Sequence, residues 1–246
     1  MTQAKFSRGL VPLSVLTVVL VAEGFGLVLF YTPNDADQGF VQKIFYLHVP
    51  LAIVALCGFI AGGIFAIQHL RTRESKWDLR SYVAIHMSLI LAVATLVTGS
   101  IWARASWGHW WLWDEPTLVA FLIVFLLYAC YQPLRFSIED RERQARYAAV
   151  FAVVAGAFVP INFLSVRFAQ RATTHPRVLG QSDALPGPML LTFLVCLVAM
   201  TVLYVTLCKY ELTSKHASIR LAQLRRRLAG DDDLLALPRS AAPQEL

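Results

Sequence analysis

The chain has 246 residues, of which 57% are hydrophobic and 15% are charged, and its formal net charge is +6. Soluble domains carry about 25% charged residues, so this composition excludes an ordinary water-soluble globular protein. The basic residues occur in short blocks between apolar runs, a pattern that suits membrane topology better than a nucleic-acid-binding surface.

Six apolar stretches are long enough to cross a bilayer, because about 20 apolar residues span its hydrocarbon core. Backbone groups in hydrocarbon must be paired within the segment, so each stretch is expected to be helical. The first stretch follows Lys5 and Arg8 and lacks a small-residue cleavage site, which favours an uncleaved helix over a signal peptide. We therefore predict an all-α polytopic membrane protein, a bundle of six transmembrane helices at roughly 10–30, 44–69, 82–103, 117–134, 148–168 and 189–208.

Lysine and arginine predict the orientation of the chain, because both are enriched in cytoplasmic loops. Of the 22 basic residues, 17 lie in the N-terminus, in the loops 70–81 and 135–147, and in the tail. Both termini are therefore predicted to be cytoplasmic. The loops predicted on the outer side are 31–43, 104–116 and 169–188.

The tail changes character after Lys209, where the apolar pattern ends and basic residues increase. We expect a transmembrane domain over residues 1–209 and a cytoplasmic basic tail over 210–246. Within the tail, residues 211–229 are expected to form a basic helix on the anionic inner leaflet. The end of the tail is expected to be disordered.

The segment 102–116, which contains the second predicted outer loop, is rich in tryptophan. An aromatic belt at the membrane interface would spread over many helix ends, but Trp77 is the only tryptophan outside this segment. Clustered indole rings would instead form a broad apolar platform for a large planar ligand. The five tryptophans of the segment are Trp102, Trp107, Trp110, Trp111 and Trp113.

Three other residues of the same loop have features of a binding loop or a helix start. Gly108 would permit close approach of a ligand to the backbone. Asp114 is expected to be the N-cap of the fourth helix, and Pro116 suits the first turn of that helix.

Histidines on the predicted outer side are candidate metal ligands. His48 lies about one turn inside the outer end of the second span, and His109 and His175 lie in outer loops. Ionisable groups in membrane spans are costly and often functional. Two outer histidines beside an aromatic platform could supply both axial ligands of a haem iron, although spacing alone leaves all three open. The others, His69, His86 and His216, are interpreted as surface or internally satisfied side chains.

Arginine on the outer side suits an anionic ligand, because guanidinium groups bind carboxylates such as haem propionates in a bidentate manner. The alternative is that these arginines anchor helix ends at the interface. The four that flank the tryptophan segment or His175 are Arg104, Arg167, Arg171 and Arg177.

The string from Trp107 to Asp114 resembles the tryptophan-rich WWD signature of the haem-handling proteins of cytochrome c maturation. Within that superfamily, the length and the six spans resemble the CcmC family, the haem exporter protein C family. The resemblance covers about residues 40–180. Four other strings also resemble the family and follow the family's order along the chain: 43–50, 98–102, 160–167 and 174–176.

The resemblance implies that His48 and His175 are the two axial ligands of a non-covalently bound, periplasmic haem b. It also implies that the protein delivers haem to a CcmE-like chaperone in the bacterial inner membrane and is not an enzyme. CcmA, CcmB and CcmD-like subunits are the implied partners. The residues expected to contact the haem are Trp102, Trp107, Gly108, Trp110, Trp111, Trp113, Asp114, Arg104 and Arg177.

The sequence departs from the family pattern at two places. Family members commonly carry an arginine after the signature aspartate, but Asp114 is followed by Glu115. Our hypothesis is that Arg104 or Arg177 replaces that arginine. A tryptophan often found just before the second histidine is also missing.

Two other functions stay open. A membrane cytochrome b-like oxidoreductase subunit would often hold paired histidines on one helix, and no predicted helix here holds such a pair. A solute transporter would use broken helices and polar groups near the midplane. Two features would suit a transporter. Glu23 is expected in the bundle interior or beside a cavity, and Pro160 with Asn162 is expected to interrupt the fifth helix.

Overall fold

The computed structural model describes residues 9–168, 175, 185 and 187–228. The named elements in this part of the chain are all helical. A π-helical turn, Leu27–Tyr31, extends the first helix, and a 3-10 turn, Phe40–Ile44, precedes the second. The α-helices are α1 (Leu10–Gly26), α2 (Phe45–Thr72), α3 (Ser75–Trp107), α4 (Pro116–Ala129), α5 (Tyr131–Phe136), α6 (Arg141–Phe168) and α7 (Gly187–Leu228).

Six helical segments in the described chain are long and apolar enough to cross a membrane, with α4 and α5 together forming one of them. The predicted all-α bundle of six spans is therefore confirmed, while its orientation remains a prediction. Two predicted spans begin about two turns later than the helices that contain them, since α3 begins at Ser75 and α6 at Arg141. Hydropathy detects only the part of a helix that lies in hydrocarbon, whereas these helices continue into polar sequence.

Helix α7 is one unbroken helix of 42 residues. At 1.5 Å per residue it is about 63 Å long, roughly twice the thickness of a bilayer's hydrocarbon core. The expected separate helix on the inner leaflet is therefore instead a continuation of the last span through Leu228. A pair between Glu211 and Lys215, 3.4 Å apart and one turn from each other, supports this extension. Residues 229–246 lie outside the described part of the chain.

Helices α2 and α3 form an antiparallel pair at the centre of the bundle, and α6 and α7 pack against them. Small residues bring α2 and α6 close together. A Cβ atom on Gly63 would lie 3.4 Å from the Cα atom of Gly156, so the two backbones nearly touch. Helix α6 continues through Pro160, so the predicted interruption of the fifth span is absent.

The two ends of the bundle differ in chemistry. We call the end that carries His48 and Trp102 the pocket end. At the opposite end, the guanidinium group of Arg135 donates to both carboxylate oxygens of Asp78, at 2.7 and 2.6 Å. The Tyr82 ring lies beside this pair, 5.1 Å from the Arg135 guanidinium carbon and 5.5 Å from the Lys215 amine. The cluster therefore joins α3, α5 and α7.

Helix α1 lies at the edge of the bundle and packs against α7. Hydroxyl groups join the two helices, with 2.7 Å between the Oγ1 atoms of Thr17 and Thr206. The buried amine of Lys43 donates to the carbonyls of Val28 and Thr32, at 2.8 and 3.1 Å, and so closes the end of the π-helical turn. A cation at the C-terminal end of a helix is favourable because the helix dipole is negative there.

The side chain of Glu23 is exposed on the outer surface of α1. Its predicted place, in the bundle interior or beside a cavity, is therefore wrong. The prediction failed because α1 is apolar around its whole circumference, so the sequence pattern does not reveal which face is buried.

Candidate functional site

A pocket of about 240 Å³ opens between α2, α3 and α4 at the pocket end. One buried water needs only about 10–15 Å³, so this space admits a much larger molecule. Its wall is mainly apolar and includes Ala52 and Leu56 of α2 and Phe121 of α4. Because Leu56 lies two turns below His48 on α2, the pocket reaches well into the span.

His48 enters the pocket from the second turn of α2 and contacts α3. Its Nδ1 atom lies 3.1 Å from the hydroxyl oxygen of Thr98. That hydroxyl already donates its hydrogen to the carbonyl of Ala94, at 2.8 Å. In the tautomer that fits this bond, the oxygen of Thr98 accepts from Nδ1, and Nε2 of His48 is the unprotonated nitrogen that can bind a metal.

Gly99 provides the space in which the His48 ring lies. A Cβ atom at this position would lie 2.8 Å from Cε1 of the ring. Such a contact is too short for a carbon side chain, so the imidazole packs directly on the backbone of α3. Thr98 and Gly99 together hold the ring from one side.

Trp102 connects the two candidate ligands. Its ring centroid lies 5.8 Å from that of His48 and 6.4 Å from that of His175. The indole is buried, and its Nε1 donates to Oε1 of Gln38 at 2.8 Å. Trp107 also contacts His175, with 6.4 Å between ring centroids. Both histidines therefore pack around the same tryptophan in one pocket.

The remaining tryptophans occupy two environments. Trp111 lines the pocket, and its buried Nε1 has no hydrogen-bond partner among the described residues. Trp113 lies edge-on to Trp111, with ring centroids 5.9 Å apart. Trp113 and Trp110 are 75% and 61% exposed, and so present a wide apolar surface outside the pocket.

Gly108 and Arg104 form the end of α3. Gly108 has a φ of +79°, a left-handed conformation that glycine adopts readily at the end of a helix. The exposed Arg104 side chain donates to the carbonyl of Gly108. In this structure both residues therefore shape the turn that starts the tryptophan-rich loop.

The N-cap of α4 is Glu115 and not Asp114, so that prediction is wrong. Oε1 of Glu115, a buried side chain, accepts from the backbone N–H of Thr117 at 3.3 Å. The reason is Pro116, which occupies the first helical position and thereby makes the residue before it the cap. Asp114 is exposed.

The structure brings together five of the predicted site residues. The predicted residues that line the pocket are His48, His175, Trp102, Trp107 and Trp111. Among the described residues, those predicted for the site but absent from the pocket wall are Gly108, Trp110, Trp113, Asp114 and Arg104. Arg177 lies outside the described residues.

Two polar side chains beside the predicted ligands were missed by sequence reasoning. Thr98 lies in one of the strings that carry the family resemblance, so a signal was present, although its contact with His48 was not apparent. Gln38 had no signal, because nothing in the loop 31–43 indicates a contact with Trp102. The histidines predicted to be satisfied elsewhere do have partners: His69 contacts the Glu74 carbonyl, and His86 contacts Gln132, each at 3.1 Å.

Comparison with known proteins gives a match to one family over nearly the whole chain. The sequence profile of CcmC, described as Heme exporter protein C, matches residues 2–227, which include all the described spans. A protein named Heme exporter protein C from Bradyrhizobium diazoefficiens is 32% identical over 220 residues, covering 88% of this chain and 79% of the relative. A protein of the same name from Haemophilus influenzae is 29% identical over 215 residues, which cover 86% of this chain and 87% of the relative. A third protein of this name, from Paracoccus denitrificans, is 33% identical over 139 residues, which cover 56% of this chain and 57% of the relative.

Proposed function

Because the chain belongs to the heme exporter protein C family, we propose that it binds haem in the pocket between α2, α3 and α4 and delivers it to a CcmE-like chaperone. The family is a membrane transport component of haem export for cytochrome c biogenesis and not an enzyme. The pocket end faces the periplasm in this proposal, and the chain lies in the bacterial inner membrane. The proposed partner subunits are CcmA, CcmB and CcmD-like proteins.

The observation that carries the proposal is the meeting of His48 and His175 around Trp102 in one pocket. These two imidazoles are the proposed axial ligands of a haem b iron. The hydrogen bond to Thr98 supports the assignment of His48, because it leaves Nε2 available for coordination. A partner that fixes the second ring nitrogen is typical of metal-binding histidines.

The pocket wall has the polarity that a porphyrin requires. Apolar side chains such as Leu56 and Phe121 suit the hydrophobic ring, and the indoles of Trp102 and Trp107 offer aromatic contacts. The unpaired Nε1 donor of Trp111 suits an acceptor on the ligand. Arg104 or Arg177 remains our proposed partner for the propionates.

The position of the histidines favours holding haem over conducting electrons through the bilayer. Both candidate ligands lie at the pocket end, whereas the other imidazoles in the described spans interact with other groups; these are His69, His86 and His216. A cytochrome b-like subunit would relay electrons from haem to quinol or another haem. Absence of quinol oxidation by the haem-loaded protein is therefore the expected result.

The decisive test is the absorbance spectrum and haem content of purified variants. We expect His48→Ala and His175→Ala to lose most of the haem. The matched controls are His86→Ala, at the opposite end, and His109→Ala, an exposed histidine of the tryptophan-rich loop. Both controls should keep the wild-type haem content. Full haem occupancy in both ligand variants would refute the assignment.

Delivery is tested by mixing the haem-loaded protein with a purified chaperone of the CcmE type. The exposed rings of Trp110 and Trp113 lie outside the pocket, so their replacement by alanine should slow transfer but leave haem bound. Trp102→Ala should release haem, because this buried ring contacts both histidines. Transfer at the wild-type rate in the Trp110→Ala/Trp113→Ala double variant would exclude a role for these rings in delivery.

A further inference from the structure

Glu23 is an exposed carboxyl group deep in a transmembrane helix. It is the only Asp, Glu, Lys, Arg or His residue in the span Leu10–Tyr31. At 1.5 Å per residue it lies about 12 Å from the Tyr31 end and about 20 Å from the Leu10 end. A carboxylate facing lipid at this depth is costly, and intramembrane ionisable groups usually face a partner or a cavity.

The lysine and histidine side chains of the described spans all have partners within the chain. Lys43 donates to three backbone carbonyls. The imidazoles of His48 and His86 each contact a hydroxyl or amide group on a neighbouring helix. Glu23 has no hydrogen bond or ion pair to any residue that the structure describes. A hydrogen-bonding partner for this carboxyl group would therefore have to lie outside this part of the chain.

The surface around Glu23 is a continuous exposed face of the helix. Leu16 and Val19 share this face by α-helical spacing and are exposed, and Phe30, in the π-helical turn that follows, is exposed as well. Gly26, about one turn from Glu23, would have nothing within 4 Å of an added Cβ atom, so a neighbouring backbone can approach closely there. The side of α1 that carries Thr17 and Gly24 is already packed against α7.

We propose that this face of α1 binds a transmembrane helix of a different subunit, which presents a cationic, amide or hydroxyl donor at the depth of Glu23. Lipid chains offer no such donor. A second copy of this chain fits poorly, because a twofold dimer on this face would place two Glu23 carboxylates opposite each other. A helix with a donor side chain satisfies the carboxylate and covers the apolar face on either side of it.

The experiment uses a photocrosslinking residue in the full chain, expressed in its native membranes. Val19 lies on the Glu23 face, and Val18 is an exposed control about 140° around the helix from Glu23. The adduct from Val19 should map to a membrane-spanning segment of another protein, with a donor side chain within one turn of the adduct. The Val18 position should not give this adduct.

A quantitative comparison then tests the carboxylate itself. Glu23→Leu should reduce recovery of the crosslinked subunit by roughly three- to twenty-fold, as expected for one hydrogen bond between membrane helices. Val18→Leu should leave recovery unchanged, and unchanged thermal unfolding of the isolated Glu23→Leu chain would show that this variant folds. Adducts with lipid only, adducts with a second copy, or wild-type recovery with Glu23→Leu would each overturn the proposal. None of these outcomes depends on haem binding.

Discussion

Thr98 connects the geometry of α3 to the chemistry of His48. When its hydroxyl donates to the Ala94 carbonyl, its oxygen accepts from Nδ1 of the imidazole. The hydrogen bond fixes both the orientation of the ring and the tautomer. Partners of this kind typically change metal affinity by about 10- to 100-fold when they are removed.

We therefore predict that Thr98→Val lowers haem affinity by about 10- to 100-fold, since valine keeps the shape but loses the acceptor. Thr98→Ser retains the hydroxyl and should bind haem nearly as well as the wild type. Thr95→Val is the matched control, because the Thr95 hydroxyl also lies in the pocket wall and donates to its own helix, at 2.9 Å from the Leu91 carbonyl. Titration of the haem-free variants by absorbance measures the affinity, and equal affinities for Thr98→Val and Thr98→Ser would contradict the assigned role.

A second prediction concerns the space under the His48 ring. Gly99→Ala would place a methyl group 2.8 Å from Cε1 and must displace the imidazole. Haem affinity should fall, while the helix itself tolerates alanine well. Gly26→Ala is the control, because nothing lies within 4 Å of its added Cβ. If haem titrates equally into both variants, the ring does not occupy this position during binding.

The limits of sequence reasoning at this scale follow from particular residues. His48 and His175 could be placed in one site because the strings around them resemble a family, and both line the pocket; their role as haem ligands stays a prediction. The contacts of Gln38 and Thr98 depend on the register between segments far apart in the chain, which no local pattern encodes. Asp114 and Glu115 are adjacent acids with similar capping ability, and only the proline at the first helical position decides between them.

At the scale of elements, the pair between Asp78 and Arg135 joins α3 to α5. The two side chains are 17% and 10% exposed, so loss of one partner would leave a largely buried charge. We predict that Asp78→Leu destabilises the bundle by about 3–5 kcal/mol. The double variant Asp78→Leu/Arg135→Met should recover most of this loss, because apolar replacement of both partners is often neutral.

The matched control is the exposed pair of Glu142 and Arg146 on α6, in which a guanidinium nitrogen lies 3.1 Å from a carboxylate oxygen. Exposed pairs contribute about 0–1 kcal/mol, so Glu142→Ala should change stability little. Denaturation in detergent, followed by circular dichroism, gives the free energies. If the double variant is less stable than Asp78→Leu alone, the ion pair is not the interaction that joins the two helices.

The elements could be predicted in number and type but not in length. Every predicted span exists, because a run of about 20 apolar residues leaves little alternative to a helix in a membrane. The ends of α3, α6 and α7 extend into polar sequence, where pairs such as Glu211 with Lys215 continue the helix without any hydropathy signal.

At the scale of the whole molecule, the orientation of the bundle rests on the distribution of its basic residues. We predict that Ala36→Cys, in the exposed loop at the pocket end, reacts with a membrane-impermeant thiol reagent in intact cells. Ser137→Cys, exposed between α5 and α6, should react only after the membrane is permeabilised. The opposite labelling pattern would invert the topology. The background for both variants replaces the native cysteines Cys57, Cys130, Cys196 and Cys208 with serine.

Helix α7 gives the molecule a rigid connection between its two ends. Met189 and Phe193, in its first turns, pack in one cluster with Phe45 and Trp102, and its last turn lies far beyond the opposite end of the bundle. From Phe193 to Leu228 the helix runs 35 residues, which is about 52 Å at 1.5 Å per residue. Contacts of Thr206 with Thr17 and of Tyr204 with the Ala84 carbonyl hold the middle of α7 against α1 and α3, so this one helix keeps the tryptophan cluster and the opposite end of the bundle at a fixed separation.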